Sequence, residues 1–223
     1  MGIYDEVLEL VGNDILELFG KSGTGKTYFA LTLMNDALKV KPDMKVLYID
    51  TERNLKLIPQ HNNVKYVYIA SMNKLYDFIV KENTLENKYE LIILDSLGAS
   101  VLGEFATMDM NTRGQALLKA EGLTYKLKTY SNTTGAFILI LNQPESEFGR
   151  PKDYRLEPFG DKHIYFVKEV WESTRAISSN ADLTICNIRA YRSRVFGRDK
   201  LLYQLKIFGS PNDIKCEIIR KWQ

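Results

Sequence analysis

Four short, nearly unbroken apolar runs punctuate the first two thirds of the chain: Ile15–Phe19, Lys45–Asp50, Leu91–Ser96 and Ala136–Leu141. Runs of this length predict strands buried on both faces, as in a parallel sheet. Val64–Ala70 reads as a further strand. Between the runs the apolar spacing changes to that of helices. Thr27–Leu38 places Ala30, Leu33, Met34 and Ala37 on one face, and Gln115–Tyr130 does the same with Ala116, Ala120, Leu123, Leu127 and Tyr130. A shorter helix is expected over Asn73–Lys81. The chain closes with three strand-like runs, Asp182–Ala190, Leu201–Phe208 and Ile214–Lys221, separated by turns at Phe196–Asp199 and Gly209–Asn212. Short turns imply antiparallel neighbours. The pattern predicts one α/β domain over residues 1–223: a mostly parallel central sheet flanked by helices, with antiparallel strands at the C-terminal end. Three stretches lack a clean period. Met1–Asp14 reads as a short lead-in and Gly98–Arg113 as a loop. Pro144–Asn180 reads as a long, mobile connection holding a short helix at Tyr165–Trp171. A connection of that length inside a compact domain is usually functional.

Composition narrows the class. With 223 residues, 45% hydrophobic and 26% charged, the chain can bury a full core and is not of the disordered type. No stretch is apolar enough to span a membrane and no signal peptide opens the chain, so an intracellular, cytoplasmic protein is expected. Cys186 and Cys216 lie in strand-like runs without a CxxC or a nearby histidine, and read as reduced core thiols. His61 and His163 have no partners at ligand spacing and read as structural or surface residues. The net charge is +2, but from Ala181 onward nine Lys/Arg stand against four Asp/Glu, so basic surface is concentrated at the C-terminal end.

The chemistry centres on Gly20-Lys21-Ser22-Gly23-Thr24-Gly25-Lys26-Thr27, which fits the phosphate-binding loop G-x-x-x-x-G-K-[ST]. It lies between a strand and a helix, where its backbone N–H groups and the helix N-terminus favour a di- or triphosphate. Residues Gly20 to Tyr28 are therefore the nucleotide-binding segment for ATP. Lys26 would reach the β- and γ-phosphates and the Thr27 hydroxyl would ligate Mg²⁺. Leu91–Ser96 ends in Asp95, the Walker B pattern that delivers a second ligand to Mg²⁺. Lys45–Asp50 continues into Thr51-Glu52, which puts two carboxylates, Asp50 and Glu52, at the ligand-binding edge of such a sheet. Ala136–Leu141 ends in Asn142-Gln143.

These stretches, in this order, resemble the ATPase core of the RecA/RadA recombinase family. The chain looks most like core-only archaeal paralogues of RadA, such as the RadB and aRadC proteins. The likeness rests on Glu17-Leu18-Phe19-Gly20 through Thr27, on Tyr48-Ile49-Asp50-Thr51-Glu52, on Leu94-Asp95-Ser96 with Arg113-Gly114-Gln115, and on Leu141-Asn142-Gln143. Arg192-Ser193-Arg194 is similar to a basic motif of RadB. The resemblance implies a RecA-like fold and roles for three groups. Glu52 would orient the attacking water as general base; the plainer alternative is a carboxylate at a strand end. Gln143 would sense the γ-phosphate; the alternative is a buried amide serving the backbone. Arg192 and Arg194 would reach a neighbouring subunit's triphosphate, or else belong to a solvated basic edge strand.

The resemblance also implies a RadA-type recombinase or a second copy as partner, and a role in DNA recombination and repair. Met1–Asp14 is too short for the helical DNA-binding domain and polymerisation linker of RadA, so both are expected to be lacking. The two stretches that would line single-stranded DNA, 98–113 and 144–180, are not basic: the second carries six Lys/Arg against seven Asp/Glu. DNA binding is therefore expected to be weak. Three readings follow: a slow, accessory DNA-associated ATPase, a non-catalytic module that keeps ATP as a structural ligand, or another RecA-fold ATPase of the clock-protein or viral annealing type.

Overall fold

The computed structural model describes residues 2–53, 61–81, 84–105, 110–143, 163, 165–176, 183–210 and 213–221. Its centre is a nine-stranded sheet. The strands are β1 (Ile15–Phe19), β2 (Val46–Asp50), β3 (Val64–Tyr68), β4 (Leu91–Asp95), β5 (Phe137–Asn142), β6 (Glu169–Ala176), β7 (Leu183–Arg192), β8 (Leu201–Ser210) and β9 (Asp213–Lys221). Their order is β3-β2-β4-β5-β1-β6-β7-β8-β9. The strands from β3 to β6 in this order are parallel, and β7 to β9 extend the sheet antiparallel. Every residue of β1, β2, β4 and β5 is buried, which is why these segments are apolar without alternation.

Two helical layers cover the sheet. On one face α1 (Ile3–Val11) and α2 (Lys26–Val40) pack on Leu16, Leu18, Ile93 and Leu139. On the other, α3 (Met72–Tyr76), α4 (Leu97–Phe105) and α5 (Met110–Thr134) cover Ile15, Ile49, Ile92 and Ile138. A π-turn, Asp77–Lys81, continues α3, so the expected helix over 73–81 exists in two parts. Phe29 of α2 meets the Trp171 and Tyr203 rings at 6.3 and 5.8 Å, tying the phosphate-loop helix to the C-terminal strands. Among the described residues, no helix is long and apolar enough to cross a membrane.

Two expectations are corrected, and a third stretch gains a structure. The short lead-in Met1–Asp14 carries a helix: Ile3, Tyr4, Val7 and Val11 form the buried stripe of α1, and Asp36 accepts a hydrogen bond from the Tyr4 N–H at 3.0 Å. The stretch 98–113 is not a loop, since α4 spans its first half and α5 begins at Met110. Two caps start α4 in spite of its glycines. Ser96 Oγ accepts from the Ala99 N–H at 3.3 Å and Asn142 Oδ1 from the Gly98 N–H at 2.8 Å, while Leu97 and Val101 are buried one turn apart.

Nor is the segment 144–180 all connection. Its part at 169–176 is β6, paired in parallel with β1, where a helix reaching Trp171 was expected. Partnered polar groups hide this strand in the sequence. Glu169 accepts from Trp171 Nε1 at 3.0 Å and from the Arg194 N–H at 3.1 Å, and the Ser173 hydroxyl donates to Thr24 O at 2.6 Å. The remainder of that segment, 144–162, 164 and 177–180, lies outside the described residues.

Candidate functional site

Parallel register sets the site. Phe19 pairs with Asn142, Asp50 with Asp95, and Asp95 with Leu141. Four strands therefore end at one level, and the residues just past each end, Gly20, Thr51-Glu52, Ser96 and Gln143, share one edge of the sheet. That is the edge where ligands bind in open α/β sheets.

The phosphate loop leaves β1 at Gly20 and enters α2 at Lys26. A side chain at Gly20 would place Cβ 2.2 Å from the Ser173 carbonyl oxygen of β6, so the loop's close approach to that strand requires glycine. Gly25 takes a left-handed conformation (φ +88°) with Cys186 and Ile207 packed beneath it. Burial lifts the Cys186 thiol to about 11, so it supports the loop as an uncharged group. Lys26 is buried. Its ammonium donates to the carbonyl oxygens of Gly20 at 2.7 Å and Lys21 at 3.0 Å. Burial lowers its pKa, while the carboxylates of Asp95 and Glu52 favour the charged form.

The Thr27 hydroxyl donates to Asp95 Oδ2 at 2.9 Å, and the Tyr48 hydroxyl donates to the same oxygen at 2.9 Å. Burial raises Asp95 to about 6, against the lowering effect of these two donors. Thr27 and Asp95 thus bring two oxygen donors to one cleft, a set that suits Mg²⁺, which takes one or two protein oxygens together with substrate phosphates and water. Among the described residues no cluster of three or more His, Cys, Asp or Glu forms a self-sufficient metal cage.

Glu52 arrives from the strand beside that of Asp95. Its Oε1 accepts from the Ser96 hydroxyl at 2.9 Å and from Gln143 Nε2 at 3.0 Å. The cleft between these groups is lined by Ser22, Gly23, Gly25, Lys26, Thr27, Tyr28, Leu31, Glu52, Asp95 and Gln143. The sequence pattern thus named most of the groups that converge. Asp50, the other carboxylate at the β2 edge, has a different task. It accepts from the Glu52 and Arg53 N–H groups and from the Tyr66 hydroxyl at 2.8–2.9 Å, fixing the turn after β2.

Arg192 and Arg194 lie elsewhere. Arg192 pairs with Val170 at the level of Glu17, midway along β1 and two strands away from it, and Arg194 lies toward the Asp14 end of β1, opposite the phosphate loop. Arg192 Nη2 donates to Val167 O at 2.6 Å, and Arg194 Nη2 donates to Asp14 Oδ2 at 3.0 Å. The Arg113 side chain lies outside the described residues.

Sequence reading missed the polar groups behind the site. Glu17 is buried in mid-β1. Its Oε1 accepts from Asn142 Nδ2 at 2.7 Å and its Oε2 contacts His163 Nε2 at 3.0 Å. His163 is wholly buried, with Thr124 Oγ1 3.3 Å from Nδ1. Burial would raise the Glu17 carboxyl, but His163, Asn142 and Arg192 outweigh it and hold the group below its ordinary value. For Glu17 the sequence signal was a lone carboxylate inside the run Ile-Leu-Glu-Leu-Phe, at the head of a stretch that carries the family resemblance but with no role attached to it. Ser96 and Thr51 gave no signal as single residues.

A family model described as an AAA domain matches residues 14–145, from the residue before β1 to just past Gln143. Among curated proteins, none matches the chain.

Proposed function

The chain belongs to the AAA-domain family, a P-loop ATPase type, and from that premise we propose that it binds and hydrolyses ATP with Mg²⁺ and serves DNA recombination or repair as a RecA/RadA-like accessory protein. One observation carries the catalytic part. Lys26, Thr27, Asp95, Glu52 and Gln143, drawn from four strand ends, line a single cleft.

The residues divide the work as follows. The loop from Gly20 to Thr27 binds the phosphates through backbone N–H groups, and Lys26 exchanges its carbonyl partners for phosphate oxygens. Thr27 and Asp95 would hold Mg²⁺, which when bound neutralises charge on the β- and γ-oxygens. Glu52 orients water and accepts its proton. Gln143 meets the γ-phosphate, and its existing bond to Glu52 links that contact to the base. Phosphate release from Mg²⁺-ATP, with Lys26→Ala as the control without a phosphate grip, tests this part. Equal turnover in that variant would reject it.

The finer reading rests on how the site is assembled. The carboxylate that orients water comes from the end of β2, next to the strand carrying Asp95-Ser96, and Asn142-Gln143 closes β5. This arrangement supports the recombinase likeness. Neither Arg192 nor Arg194 lines its own chain's cleft, and their side chains turn to Val167 and Asp14, so any role on a nucleotide would be in a neighbouring subunit, either a second copy or a recombinase. A finger supplied in this way is worth about 10³–10⁵ in rate. Turnover per site across a concentration series, for wild type and Arg192→Ala/Arg194→Ala, tests it; identical, concentration-independent rates would exclude it. Weak single-stranded DNA binding is assigned to the basic C-terminal region. Labelled single-stranded DNA, titrated with and without ATP at two salt concentrations, tests that assignment. Affinity and salt slope unchanged on removing Arg192, Arg194 and Arg198 would place the binding elsewhere.

A further inference from the structure

Ser96 directly follows the metal-binding Asp95 and is completely buried. Its backbone is cross-tied to Thr51. The Ser96 N–H donates to Thr51 Oγ1 at 2.9 Å, the Thr51 hydroxyl donates back to Ser96 O at 2.7 Å, and the Thr51 N–H donates to Asp95 O at 2.7 Å. These three bonds lock the end of β2 to the end of β4, the two segments that carry the water-orienting carboxylate and the metal ligand. The Ser96 hydroxyl then completes the link. It accepts from the Ala99 N–H at 3.3 Å, which turns its own proton toward Glu52 Oε1 at 2.9 Å.

We propose that Ser96 is the positioning residue of the catalytic base, with Thr51 as its brace: the pair fixes where the Glu52 carboxylate stands relative to the metal ligated by Asp95. This rests on the reading of Glu52 as base. The geometry favours a positioning role over mere support of α4. A capping serine needs only to accept the Ala99 N–H, and here its proton is also committed to Glu52. Gln143 Nε2 donates to the same Oε1, but that amide lines the cleft and is the group that must turn to a γ-phosphate. When it does, Ser96, among the described residues, is a donor that stays and keeps the carboxylate in place. A misplacement of the base by a fraction of its hydrogen-bond length is costly in rate.

The test is Ser96→Ala in the wild-type and Glu52→Gln backgrounds, with turnover measured at enzyme excess, binding of a fluorescent ATP analogue, and melting temperature. The loss of one hydrogen bond to a charged group should lower turnover by about 10- to 100-fold. Nucleotide affinity should stay within about twofold, because the lost contact acts on the base and not on bound ATP. In the Glu52→Gln background Ser96→Ala should add nothing to the loss of turnover, although it still lowers the melting temperature through the lost cap. Losses that multiply, or a Ser96→Ala enzyme as fast as wild type, would overturn the proposal while leaving Glu52 in its role. A Glu52→Gln enzyme as fast as wild type, beside an inactive Lys26→Ala, would remove the base itself and the proposal with it. If Ser96→Ala does not fold, Thr51→Val and Thr51→Ser replace it. The valine should lose turnover and the serine, which keeps the hydroxyl, should retain it; equal rates in the two would refute the brace.

Discussion

Gln143 Nε2 donates to Glu52 Oε1 across 3.0 Å, so the residue past β5 holds the carboxylate past β2. The same amide faces the cleft in which a γ-phosphate would sit. It cannot give its full strength to both acceptors, and a bound triphosphate should draw it off Glu52. Gln143→Ala is expected to bind ATP and ADP nearly as wild type does and to lose turnover by about 10²–10³, the scale for removing one donor aimed at developing charge. Single-turnover hydrolysis alongside nucleotide binding separates the two effects.

Lys26 spends its ammonium on the Gly20 and Lys21 carbonyls, a contact that phosphate oxygens replace at little cost. Lys26→Ala should therefore leave the nucleotide-free fold intact and weaken binding of a fluorescent ATP analogue by about tenfold or more, the scale of a lost charge-assisted hydrogen bond to phosphate. Titration and a thermal melt of the same sample check both halves.

Asp95 supplies the pH dependence. In the folded chain it keeps its proton up to about 6, whereas the unfolded chain releases it near the ordinary 3.8. Between those values the native state binds the extra proton. This group's contribution to stability is therefore greatest below the lower value and declines as pH rises toward the upper one. Mg²⁺ needs the ionised form, so Mg²⁺-dependent nucleotide binding should weaken as pH falls through 6. Asp95→Asn should raise the melting temperature of the nucleotide-free protein near neutral pH and abolish Mg²⁺-dependent turnover. A variant that melts lower, with turnover intact, would contradict the assignment.

How much of this could be read in the sequence depends on what each segment buries. The strands that carry the site are apolar along almost their whole length, with Glu17 the exception inside β1, and the residue types at their ends are those that phosphate and Mg²⁺ chemistry requires, so β1, β2, β4 and β5 and their terminal groups were legible. The rest was obscured by tertiary partners. Glu169 and Ser173 make β6 look irregular because the Arg194 N–H and the Thr24 carbonyl that help satisfy them lie in other parts of the chain. Helix α4 depends on caps from Ser96 and Asn142, the second contributed from 44 positions away. Arg192 and Arg194 read equally well as a reaching pair or a basic edge. Only the antiparallel return of β7 places Arg192 level with Glu17 and Arg194 beside Asp14, outside the cleft.

The buried Glu17–His163 contact predicts a large stability effect with no nucleotide involved. Removing His163 leaves the buried Glu17 carboxylate with the Asn142 amide and the charge of Arg192, and breaking a buried pair from one side costs about 3–5 kcal/mol. His163→Ala should show that loss in urea unfolding at neutral pH. Glu17→Gln/His163→Ala, which removes the buried charge as well, should recover part of it. With Glu17→Gln alone as the fourth corner, losses in the two single variants that simply add in the double would show that the contact carries no coupling.

The most direct measurement of the central claim is Glu52→Gln, assayed for Mg²⁺-ATP binding and for phosphate release on one preparation. The substitution keeps size and shape and removes the proton acceptor. The expected result is binding close to wild type with turnover lower by about 10²–10⁴. Phosphate release equal to that of an active wild type would contradict the account, since the carboxylate brought to the cleft by β2 would then have no part in the reaction.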